Sequence, residues 1–442
     1  MKLYFILIIA FFLNNCSFDN KTGIWKDESF TFENDKQNDI FEDFKTISVS
    51  SDPFKKTIKL KENFIFKLSK PITNNDWKDI FFSSTNNLIN FKYEGLNEIT
   101  SKSKKLTKGK ANNYPLYEDG NLIISDDIGN LIIYSPGENK IISKFNFYKN
   151  KYKKIEKKLN LIVENNIIFT ADNLGYVYAY NYNLKKVLWA KNFKIPLSSN
   201  LKIIGEKLIV SNQVNSLFFI NKKNGNLIKQ IPTEETFVKN QFVNNLSNFK
   251  EQLFFLNSYG SLYSIDALNV KISWFINLNQ SLESSTSNLF AGSKIINSEK
   301  EIIISSKDST YLIDIKTGSI IKKFNFVSTV KPHIQDRVII FLTKNNFLIA
   351  YDINSKEIIY SYNLLTIYEV SKIIKDNNFF KQVMLLNNDI YILLKNSYVL
   401  IFKVNGTFKK INKLPSKIGS YFISIEEAIL YLDNKNKLVV LN

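Results

Sequence analysis

The sequence predicts an all-β fold: an eight-bladed β-propeller of four-stranded antiparallel blades, with the ring closed by an N-terminal strand. Three observations predict it. From about residue 77 onward, runs of four to six Ile, Val, Phe, Leu and Tyr are cut by Asn, Gly, Asp and Ser, which is strand spacing and not a 3.6-residue stripe. Eight of these runs end on a turn position, at residues 135, 181, 221, 266, 314, 352, 403 and 442. The average step is about 44 residues, inside the ~40–50 range of propeller blades. An aromatic residue then recurs eight positions after the turn, at Trp189, Trp274 and Tyr360.

Taken in chain order, the first element is a leader. Met1 and Lys2 precede an apolar run over 3–13 that is too short to span a ~30 Å hydrocarbon core as a helix, so residues 1–15 read as a signal peptide. Cys16 follows with Leu13 three positions before it, which resembles the lipobox of bacterial lipoproteins and implies a lipid-modified Cys16. Asn14 and Asn15 stand where that pattern has small residues, and Ser17, in place of Asp, resembles lipoproteins sent on to the outer membrane. Residues 16–75 read as a polar tether, acidic at Asp27, Glu28, Glu42 and Asp43, with one strand-like alternation at 57–68 before the break at 71–77.

Residues 76–442 form the propeller. Within a unit, a strand such as 208–211 or 253–256 leads through a short Asn- or Gly-bearing turn to the next strand, where those residues supply the positive φ of tight hairpins. A further strand carries Trp189, Trp274 or Tyr360. The central runs lose the usual alternation because neighbouring blades cover both faces of each sheet. Asp266, Asp314 and Asp352 recur at the turn position, where a carboxylate accepts local backbone N–H bonds, so they read as structural. The last unit lacks an outer strand. An open edge there would leave unpaired backbone groups, so the segment 87–93 is expected to close the ring.

Composition narrows the chemistry. One His (His333), one Cys and two Met leave few groups for metal binding, thiol chemistry or His-based acid–base catalysis. The net charge of +18 is spread over lysines that lie among Asn and Ile throughout the chain; the dense runs 103–110 and 151–158 read as solvated loops, and no nucleic-acid partner is expected. His333 reads as a surface or capping residue between strands.

The segments 260–266 with Trp274, 175–181 with Trp189, and 314–318 resemble the repeat of quinoprotein-type (PQQ-like) β-propellers. An exported lipoprotein of eight such units with no further domain resembles the BamB family of outer-membrane assembly lipoproteins. That resemblance implies a non-catalytic scaffold without cofactor, a monomer lipid-anchored in the outer membrane and facing the periplasm. It would dock on a POTRA domain of the barrel-inserting subunit and meet unfolded outer-membrane proteins. Loops after the second and third units would then carry partner-binding residues: Ile195, Leu197 and Asn200 in one, Glu234, Glu235 and Phe237 in the other. Packing of these same residues onto the blade is the competing expectation. Two other functions stay open, a PQQ- and calcium-dependent enzyme and a propeller binding glycans or another envelope protein. The enzyme would need Glu, Asn and Asp calcium ligands near the axis and a stacking Trp, and many such enzymes carry adjacent cysteines.

Overall fold

The computed structural model describes residues 16–18, 25–27, 53–60, 64–95, 97–149, 152–234, 244–279, 290, 292, 294–374 and 379–442. Contacts divide the chain into two units, Met1–Ser51 and Asp52–Asn442. In the first, Cys16–Phe18 pairs antiparallel with Trp25–Asp27. The expected signal peptide lies outside the described residues.

The second unit is a propeller of eight antiparallel sheets. Blades 1 to 7 span 116–146, 159–192, 202–231, 245–277, 296–324, 333–363 and 380–413, each with its strands in chain order from the axis outward. The two middle strands are buried along almost their whole length, as in Asn130–Ser135 and Phe347–Asp352, because their Ile, Leu, Val and Phe interdigitate with the adjoining blades. Each such side chain contributes roughly 1.5–3 kcal/mol on burial. Several innermost strands are short, three residues at Leu116–Glu118 and Lys202–Ile204 and two at Ile296–Asn297, and no turn motif announces them.

Blade 8 consists of Ile423–Ile425, Ala428–Leu432 and Leu438–Leu441, and an N-terminal strand completes it. That strand is Ile99–Lys102, paired antiparallel with Leu438–Leu441, and not the expected segment 87–93. The closing strand also repeats a local signature. In all eight blades the pairing of third and fourth strands shifts register at one place, for example after Ala179, Ser264 and Ala350, and in blade 8 after Val440. Such a bulge increases local twist, so the outer strand leans toward the next blade and Ile99–Lys102 takes the geometry of a regular fourth strand.

Residues 72–93 instead thread the axis. Their polar groups bond the inner strands of every blade: Trp77 pairs with Tyr117 of blade 1, and the Lys78 carbonyl accepts from Val163 of blade 2. In blade 3, the Lys202 ammonium donates to the Asp79 carboxylate at 2.7 Å and the Asn86 side chain at 2.6 Å. Asn86 donates to the carbonyls of Leu246 and Ile295 in and beside the inner strands of blades 4 and 5, and Asn87 to Ile334 of blade 6. Asn90–Phe91 pairs in parallel with Leu385 and Leu386 of blade 7, and Asn74 reaches the Ser424 carbonyl of blade 8. This segment plugs one end of the ring. The apolar residues that made 87–93 look like an outer strand are buried at the centre: Leu88 and Phe91 are 5% and 0% exposed.

Three further expectations change. The alternating stretch 57–68 makes a single bridge, Ile58 with Ser361, and no strand among the described residues; its apolar positions Leu60, Phe64 and Phe66 pack on blades 6 and 7. His333 opens the inner strand of blade 6 and is 1% exposed, so it is neither a surface nor a capping residue. The lysine-rich runs are not wholly solvated, since Leu106, Thr107 and Lys157 are buried within them. Lys157 satisfies its ammonium by donating to the Tyr152 carbonyl.

Candidate functional site: the axial cavity and its rim

In each blade the inner strand runs from one face of the ring to the other, so the links between blades and the turns between second and third strands share one face. The plug closes the opposite end. The sequence-expected binding loops, which link blade 2 to 3 and blade 3 to 4, therefore sit on the face that the plug leaves open.

The structure treats their residues unequally. Ile195 stands at the surface, 37% exposed. Leu197 is buried between blades 2 and 3, its N–H donating to the Asp172 carbonyl at 2.9 Å. Asn200 is buried and exchanges two 2.9 Å bonds with the Leu246 backbone, which ties blade 3 to blade 4. Glu234 accepts hydrogen bonds from Asn257, Ser261 and Tyr263, each at 2.7 Å. Burial pushes its carboxyl upward, but these donors hold it below the usual glutamate value. Glu235 and Phe237 lie outside the described residues. The turn residues Asp266 and Asp314 bond their own hairpins, Asp266 to the N–H of Leu268 and Asp314 to that of Thr317, both at 2.8 Å.

At the centre of the open face is a cavity of about 500 Å³. Its floor is the plug, through Trp77, Ile80, Phe81 and Leu88, and its wall is made by residues at or just before the inner strands of blades 1, 4, 5, 6, 7 and 8. Four lysines line it, Lys294, Lys331, Lys381 and Lys395, and no Asp or Glu is among the lining residues. The Tyr114 and Tyr421 rings stack at 4.7 Å and 13° on the wall. Lys294 donates to the Tyr114 hydroxyl, and its ammonium lies 4.6 Å from the Tyr114 and Phe81 ring centres. Lys331 lies 5.0 Å from Phe81 and donates to the Asn86 carbonyl at 3.1 Å. Burial lowers the pKa of both, and the neighbouring Lys294 charge lowers that of Lys331 further; burial, then Lys395, brings Lys381 down to about 8.

Sequence reasoning missed this site. Lys294 and Lys331 each stand two positions before an inner strand, a pattern lost among the lysines of a chain with 59 basic residues. The cavity also tests the calcium-quinone pair that the alternative enzyme function would need. Ca²⁺ takes six to eight oxygen ligands, carboxylates prominent among them. A wall of ammonium groups without a carboxylate is the wrong donor set, and Trp77 packs into the plug against Phe82 and Phe91. The residues present do not fit that ion. Among the described residues no group of three or more His, Cys, Asp or Glu is arranged to hold a metal.

A family model described as outer membrane protein assembly factor BamB matches residues 129–362, more than half of the chain. No curated protein matches it. Among solved structures, BamB from Moraxella catarrhalis is similar with a TM-score of 0.61 at 12% identity, covering 78% of this chain and 99% of that one. Quinohemoprotein alcohol dehydrogenase from Comamonas testosteroni gives a TM-score of 0.59 at 8% identity, over 84% and 81% of the two chains. A europium-containing methanol dehydrogenase gives 0.60 at 10%, over 83% and 89%. At these identities the likeness is one of fold.

Proposed function

The chain belongs to the family of outer membrane protein assembly factor BamB, and from that premise we propose that it is a non-catalytic scaffold of the machinery that assembles outer-membrane β-barrels. It is held in the outer membrane by lipid on Cys16, faces the periplasm, and docks on a POTRA domain of the barrel-inserting subunit. The family match from blade 1 through blade 6 is the observation that carries this reading.

The ring suits the task physically. Eight sheets locked to a central plug make a rigid body whose rim and edges keep fixed positions, and preorganised surfaces lose little entropy on binding. Ile195 on the rim makes the contact, with Glu235 and Phe237 as further partner-binding residues, while Leu197, Asn200 and Glu234 hold the loops in shape. At the edge, no named strand among the described residues pairs with the outer side of the outermost strands, although Ile58 bridges Ser361 in blade 6. The outer strand of blade 4, Lys271–Asn277, also exposes Ile272 and Phe275, a surface to which an incoming unfolded strand adds by β-augmentation.

The dehydrogenase reading draws on shared fold alone, and fold does not carry activity. The lysine-lined axis opposes it. The test is an affinity pull-down of the tagged full-length protein from gently solubilised envelopes, with mass spectrometry of what is retained. Recovery of the barrel-inserting subunit, lost or weakened in an Ile195→Asp variant, is the expected result. Its absence alongside a different envelope complex would overturn the scaffold assignment.

A further inference from the structure

The docking proposed above does not draw on the axial cavity, and its chemistry points elsewhere. Lys294, Lys331 and Lys381 converge on one space of about 500 Å³, a size typical of small-molecule sites. Nothing on its wall is anionic. Asp79, a buried carboxylate whose charge acts on Lys331, already holds Lys202 at 2.7 Å. Each ammonium has three donors, yet Lys294 has one phenol oxygen and three ring faces, at Phe81, Tyr114 and Tyr421, and Lys331 has one carbonyl and one ring face. Unused donors and mutual repulsion remain, and both are costly away from bulk water.

We propose that the cavity is a binding site for a small multivalent oxyanion, a polycarboxylate or a phosphate compound, gripped by Lys294, Lys331 and Lys381 beside the stacked Tyr114 and Tyr421 rings. An oxyanion supplies what the site lacks: acceptors for the free donors and negative charge between like charges. The aromatic faces keep the lysines in place when no anion is bound and offer an apolar wall to the ligand's carbon skeleton. The open end of the ring gives access. None of its lining residues is among those assigned to partner docking, so anion binding and docking are tested separately.

Calorimetry and thermal melts on the detergent-solubilised full-length protein test it, with citrate and pyrophosphate as probes and sodium chloride matched for ionic strength. At millimolar concentration at least one probe is expected to raise the melting temperature above the chloride control. Response to citrate alone marks a carboxylate site, and response to pyrophosphate alone a phosphate site. Lys331→Gln and, as a second variant, Lys381→Gln are expected to weaken binding at least tenfold. Lys331→Gln should also leave the anion-free protein at least as heat-stable as the parent, because it removes a buried repulsion, whereas an ordinary structural lysine would lower stability on substitution. Lys105→Gln, an exposed lysine outside the cavity, should bind as the parent does. Equal responses in Lys331→Gln, Lys381→Gln and Lys105→Gln, or no response beyond chloride in the parent, would overturn the assignment.

Discussion

His333 shows what the fold demands of a single residue. It sits buried in the inner strand of blade 6, and the interior favours the neutral imidazole. Burial lowers its pKa from 6.5 to about 4, opposed by the nearby Gln335 side chain and helped by the Lys331 charge. Between those values the unfolded chain binds a proton that the folded chain refuses. The neutral ring's contribution is complete above pH 6.5, is lost as pH falls toward 4, and amounts to about 3 kcal/mol over that window. Urea titrations at pH 7 and pH 4 are expected to show the parent losing about 3 kcal/mol more than His333→Leu; parallel losses would contradict it. Nothing in the residue pattern signals this burial. A lone His before a short strand looks like a loop residue, and only the ring places that strand at the axis.

Blades are joined by a device that the sequence showed in part. Trp189 and Trp274 were legible as a periodic aromatic, and Asp314 to Gly318 as a turn. The structure joins the two halves across blade boundaries. Trp189 donates from its indole to the Lys222 carbonyl of the next blade at 2.9 Å, and Trp274 to that of Ile315 at 3.2 Å. Each ring covers a glycine, Gly225 and Gly318, at φ of +73° and +74°. Tyr360 of blade 6 repeats the pattern, donating to the Val404 carbonyl. The bulge one residue before each aromatic turns it toward its neighbour, and a bulge leaves no mark in composition. In Gly225→Ala, a Cβ would overlap the Trp189 ring in a backbone conformation that alanine adopts at a cost. A loss of about 2–4 kcal/mol is expected by chemical denaturation, from overpacking together with backbone strain. Gly137→Ala, where a Cβ meets nothing within 4 Å, serves as the control and should cost far less. Equal effects of the two would show that the ring–glycine contact does not couple the blades.

At the scale of the molecule, the repeat was legible and its centre was not. Eight units could be counted because each buries a whole strand pair and so repeats a pattern of many residues. The plug touches the blades through scattered single groups of differing type and number, and such contacts have no period. Its Asn86 and Asn87 satisfy inner-strand backbone that would otherwise face the axis unpaired. The ring thus depends on a segment that belongs to no blade. A chain beginning at Gly95 keeps the closing strand Ile99–Lys102 and loses the plug, stranding the Lys202 ammonium and acceptors in several blades. Each unmet buried group costs about 1–3 kcal/mol, and an uncompensated buried charge about 3–5 kcal/mol. This truncation is expected to melt far below the parent or to lose a cooperative transition. Lys202→Met isolates one part of that effect: it should cost about 3–5 kcal/mol, and adding Asp79→Leu should recover most of it, because the pair is then replaced by apolar packing. If the truncated ring melted within a few degrees of the parent, the blades would be self-sufficient and the plug only a cap. If the double variant failed to recover, the loss would lie in packing around Lys202 and not in the charge left at Asp79.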